Sequence, residues 1–115
     1  MNDNEQRRII KPEFIELDLV ITRMQKRNTS ADGTWVSGKV NNEYQFQALV
    51  FAEHAEVETY ELGRSKISKL WILRLADNVT VFNFDRGLDV TSDDPTTQVI
   101  ADFLCAGLAD LVYGK

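Results

Sequence analysis

Apolar and polar side chains alternate with the two-residue period of a strand through the middle of this chain, then switch to a helical period. Thr34 to Val40 and Tyr44 to Ala52 are β-rich runs joined at Asn41-Asn42. Asparagine tolerates the positive φ that a tight turn requires, so the pair reads as a hairpin. Ile67 to Leu75 and Val79 to Phe84 form a second hairpin across Asp77-Asn78 for the same reason. Further on, Val99, Ile100, Phe103, Leu104, Leu108, Leu111 and Val112 recur at helical spacing. Asp94 supplies a side-chain acceptor at the N-cap, Pro95 suits the first helical position, and Gly114 closes the element.

The stretch 10–24 fits two periods. Ile10, Phe14, Leu17, Ile21 and Met24 fall at spacings of four and three, with Pro12 early, acids leading and bases trailing, which predicts a helix. Ile15, Leu17, Leu19 and Ile21 also alternate with Glu16, Asp18 and Thr22, as a strand would, and that alternative stays open. The expected architecture is one α+β domain over residues 1–115. It has a frayed tail at 1–9, an N-terminal helix, a four-stranded antiparallel meander within 34–90 and a C-terminal helix over 94–113 packed on one face. A loop of about fourteen residues, 53–66, exceeds the usual connection and reads as a functional loop or a flap packed by Val57, Tyr60 and Leu62.

Both faces of the central strands are partly apolar. Tyr44, Phe46, Ala48 and Val50 oppose Gln45, Gln47, Leu49 and Phe51; Ile67, Trp71, Leu73 and Leu75 oppose Leu70 and Ile72. One helix covers one face only, so the second needs the N-terminal segment, the long loop or another subunit.

Composition narrows the partners. The 115 residues, 43% apolar and 27% charged, sit in the ordinary globular range. Thirteen Lys and Arg against eighteen Asp and Glu give −5, which disfavours a nucleic-acid binder working by simple phosphate neutralisation. One cysteine and one histidine make neither an internal disulfide nor a four-ligand zinc site, so no cofactor is expected. No apolar run approaches the roughly 18 residues of a membrane span, and a cytoplasmic, non-membrane protein is expected.

Residues 63–75 hold Arg64, Lys66, Lys69 and Arg74 with no acid, and Trp71 lies among them. Such an island can contact single-stranded nucleic acid or an anionic ligand; solvated, paired side chains on a sheet edge are the plainer reading. Arg86, within Asp85-Arg86-Gly87-Leu88-Asp89, could bind an anion, although turn chemistry explains the segment unaided. The candidate binding residues are therefore Arg64, Lys66, Lys69, Trp71 and Arg86. Asp85, Asp89, Asp93 and Asp94 lack the spacing of a calcium loop. Cys105 lies beside the apolar stripe of the last helix and reads as a small buried hydrophobe, while His54 reads as a solvated loop residue. Gly107 interrupts that helix and suggests close approach to the sheet or a second helix. No catalytic assembly is visible, which argues against an enzyme.

Trp35 with Gly38, then Phe46-Gln47-Ala48-Leu49-Val50-Phe51, Lys66-Ile67-Ser68-Lys69-Leu70-Trp71-Ile72 and Asp85-Arg86-Gly87-Leu88-Asp89-Val90 form a spaced pattern over residues 35–90. It resembles a family of small bacterial and phage-encoded proteins of unknown function. The chain departs from that pattern where Ser65-Lys66 follows Gly63-Arg64, and where Leu88 stands in place of a tryptophan. The resemblance implies an accessory protein of phage or mobile-element type. With the residue reading, the expected function is a non-enzymatic protein-interaction module that self-associates or binds a protein partner. A nucleic-acid or anionic-ligand domain using the 64–74 segment is the alternative, and an acidic mimic that inhibits a host protein is a further one.

Overall fold

Leu17, Leu19 and Ile21 are buried, and the residues between them are only half-buried. This two-residue period makes Leu17–Lys26 a strand, which corrects the expected N-terminal helix. The strand wins because its backbone pairs along a ladder from Leu19 opposite Val40 to Lys26 opposite Thr34. A helix would have left those N–H and C=O groups of the neighbouring strand at an open edge.

The computed structural model describes residues 6–10, 17–26, 33–85, 88–90 and 95–114. Its strands are β1 (Gln6–Ile10), β2 (Leu17–Lys26), β3 (Thr34–Val40), β4 (Tyr44–Val50), β5 (Ile67–Arg74), β6 (Val79–Asp85) and β7 (Leu88–Val90), followed by α1 (Pro95–Tyr113). All seven form one antiparallel sheet in chain order. The expected four-stranded meander is thus the centre of a larger sheet, with β2 as a fifth long strand and β1 and β7 as short edges. Of the tail expected over 1–9, residues 6–9 instead belong to β1 and pair with β2, while residues 1–5 lie outside the described residues. The Asp94 cap and Arg86 lie outside the described residues.

Both expected hairpins form. Asn41 and Asn42 each take φ of 56°, and Asn78 takes 60°. Asn41 also locks the first turn to β2: its N–H donates to the Asp18 carbonyl (2.9 Å) and its Oδ1 accepts from the Asp18 N–H (2.7 Å).

One residue of slippage in β5 decides which side chains share a face. Lys69 pairs with Leu49 and Ile67 pairs with Val50, so Ser68 is an extra residue, a β-bulge. The bulge puts Ile67 with Leu70 and Ile72 on the buried side and leaves Lys69, Trp71 and Leu73 on the other. This corrects the expectation that Ile67 shares a face with Trp71.

α1 covers the buried face, packing against β4, β5 and β6. Ile100, Ala101, Leu104 and Leu108 meet Phe46, Leu70, Ile72 and Phe84 in a single core. Near its end the Tyr113 hydroxyl donates to the Val50 carbonyl (3.2 Å) and bonds the buried Thr34 hydroxyl (2.9 Å). Gly107 makes no close approach: a Cβ there would meet no neighbour within 4 Å. No helix among the described residues is long and apolar enough to cross a membrane.

Candidate functional site

The side chains facing away from α1 form rows across the sheet. One row runs Gln25, Trp35, Leu49, Lys69, Asp85 and the next Arg23, Ser37, Gln47, Trp71, Asn83. Among the described residues no helix or other strand packs over them; Arg23, Gln25 and Gln47 are exposed, while Leu49, at the edge of this face, is buried to 3% exposure. Among the described residues the second face is therefore open around Gln47, because β1 and β2 extend the sheet sideways instead of folding across it.

Two shallow depressions share Trp35 and Gln47. One, of about 170 Å³, is lined by Arg23, Gln25, Trp35, Ser37 and Gln47. The other, of about 160 Å³, adds Lys69, Trp71, Asn83 and Asp85. Both tryptophans are half-buried and held by neighbours. The Trp71 ring N–H donates to the Thr80 hydroxyl at 3.0 Å. The Lys69 ammonium lies 5.8 Å from the centre of the Trp35 ring and 3.7 Å from the Asp85 carboxylate. Ring faces held in this way, with amides and cations around them, suit a planar or anionic group.

The five residues singled out from the sequence do not converge. Lys69 and Trp71 are neighbours on the open face. Arg64 is exposed in the loop between β4 and β5. Lys66 is fixed through its backbone at a φ of 66°, its N–H on Glu61 (2.7 Å) and its carbonyl accepting from the Phe51 N–H (2.9 Å). Arg86 lies outside the described residues. Arg74 makes a two-pronged contact with Asp77 (3.0 and 2.7 Å) at the end of its hairpin. Sequence reading missed Trp35 and Gln47 as neighbours of Trp71, and Arg23 as a member of the same row three strands away. Only the strand register brings them together, although the alternation already put Gln47 on the face opposite Phe46.

The long loop is organised differently from the expected flap. Val57 and Tyr60 point outward and only Leu62 packs on the core. Its anchor is Glu61, buried to 7% exposure, whose carboxylate accepts from the Ala55 N–H (2.8 Å), the Lys66 N–H (2.7 Å) and His54 Nδ1 (2.8 Å). Burial raises its pKa, but the bonds from His54, Lys66 and Ala55 outweigh that and hold it below the ordinary value. His54 is thus a loop clasp with a buried partner, not a freely solvated residue.

Cys105, a residue of α1, is half-buried. Burial pushes its thiol up to about 11, against a hydrogen bond with Ser65 and with the help of Asp102, so it stays protonated at neutral pH. Among the described residues no group of three or more His, Cys, Asp or Glu is placed to hold a metal ion.

Residues 34–109 match the sequence profile of a family described as Domain of unknown function (DUF7678). The chain belongs to this family. The matched span opens on the first residue of β3 and runs into α1, so it takes in Trp35, Gln47, Lys69 and Trp71 but not Arg23. Neither the curated proteins nor the solved structures give a match.

Proposed function

We propose that this chain is a small non-catalytic binding module whose working surface is the open sheet face centred on Trp35, Gln47 and Trp71. The observation that supports this most is a pair of half-buried tryptophans, each fixed by a neighbour, on a face that no described element covers. A resemblance to phage-encoded proteins agrees with an accessory role. Amide chemical shifts recorded during titration with oligonucleotides, heparin or more of the protein itself test the reading. Perturbations should centre on Ser37, Gln47, Lys69 and Asn83. If every response instead maps to α1 or to the loop carrying Glu61, the reading fails.

Self-association through the same face is a second reading, favoured by the half-buried apolar Leu73, Trp35 and Trp71 on it. Light scattering across micromolar concentrations should then show a dimer or larger species. A monomer throughout removes it.

A further inference from the structure

We propose that the occupant of the open face is single-stranded nucleic acid, with bases stacked on Trp35 and Trp71 and phosphates drawn to Arg23, Lys39 and Lys69. The inference rests on the reading of that face as the working surface. Charge is the first argument. The chain carries −5 overall, yet this face collects three cations, Arg23, Lys39 and Lys69, against Asp18 and Asp85. The other described acids are in turns (Glu43 and Asp77), in the loop (Glu53, Glu56, Glu58 and Glu61), on the edge strand β7 (Asp89) and on α1 (Asp102 and Asp110). With Lys69 bridged to Asp85, the face keeps an excess of one cation on an otherwise acidic protein, which complements an anion.

Spacing is the second argument. Trp35 on β3 and Trp71 on β5 are two strands apart, about 10 Å across the sheet, and one two-residue step apart along it, about 7 Å. That gap of roughly 12 Å far exceeds the 3.4 Å step between stacked bases of a duplex strand. A duplex has no free base faces to offer, whereas an extended single strand can lay non-adjacent bases on the two rings. Gln47 lies on the strand between them and exposes an amide toward whatever crosses from one ring to the other. Lys69, 5.8 Å from the centre of the Trp35 ring and 3.7 Å from Asp85, has to swing off both to meet a phosphate beside a base stacked on that ring.

The test is fluorescence anisotropy of a labelled oligothymidylate with the full chain at low salt. Binding is expected, with the logarithm of affinity falling against the logarithm of salt at a slope of about −2, as three phosphate contacts require. Trp35→Ala and Trp71→Ala should each weaken binding about tenfold or more, while Trp→Phe at either position retains most of it. Circular dichroism checks that each variant is folded. Arg64→Ala, in the loop, should bind like the parent chain. A duplex competitor should displace the oligonucleotide poorly. No binding at low salt, binding indifferent to both alanine variants, or equal loss in Arg64→Ala would overturn the proposal. If oligonucleotide fails while heparin or self-association still perturbs Gln47 and Asn83, nucleic acid is excluded and the binding-module reading stands. Responses confined to α1 or the loop end both.

Discussion

A methyl group at Gly38 would collide with the Val20 carbonyl and sit 2.8 Å from the Phe46 ring, which lies across the glycine from the facing strand. The backbone there is ordinary extended strand, so the demand is for space and not for an unusual φ. Gly38→Ala should cost about 1–3 kcal/mol by overpacking, read as a lower urea midpoint with unchanged slope. Glu61 is the opposite case, a polar group whose deletion leaves others stranded. Glu61→Ala strips the Ala55 and Lys66 N–H groups of their acceptor, and a loss of about 1–3 kcal/mol is expected. Because the folded carboxyl is held below its ordinary value of 4.5, its contribution is present above that pH and is lost as pH falls through the folded value. Hydrogen exchange at Ala55 and Lys66 should therefore quicken in acid before that of the central strands. The sequence showed the acidic loop and its histidine, but not that Glu61 turns inward.

Two elements differ in how far their sequence announced them. The hairpins and α1 were legible because turn chemistry and period agree locally: Asn41, Asn42 and Asn78 take the positive φ that asparagine tolerates. β2 was not, because Leu17 and Ile21 satisfy both periods, and only the ladder offered by β3 decides between them. Bulges are harder still. Ser68 carries no signature, yet it reverses the face of Ile67 relative to Trp71. Within α1, Gly107 has open space where a side chain would go, so Gly107→Ala should stabilise by about 0.5–1 kcal/mol, seen as a raised Tm. Tyr113→Phe removes the bond to the Val50 carbonyl and should cost about 1 kcal/mol in denaturant melts.

At the scale of the whole molecule, the two faces of the sheet have different duties. The buried face and α1 hold the fold; the open face presents Trp35, Gln47 and Trp71. Its position was half legible: the sequence showed that one helix cannot cover two faces, and it took the register to show which residues meet there. Strict chain order of the strands has a consequence during synthesis. Each strand can pair with its predecessor as it leaves the ribosome, so the sheet grows by local contacts alone. α1 comes after all seven strands, and its 19 residues take on the order of one to four seconds to make. For that interval the nascent sheet shows Phe46, Leu70 and Ile72 to water with no helix to cover them. A chain stopped after residue 94 is frozen in that condition, and it should collect in the insoluble fraction while the full chain does not.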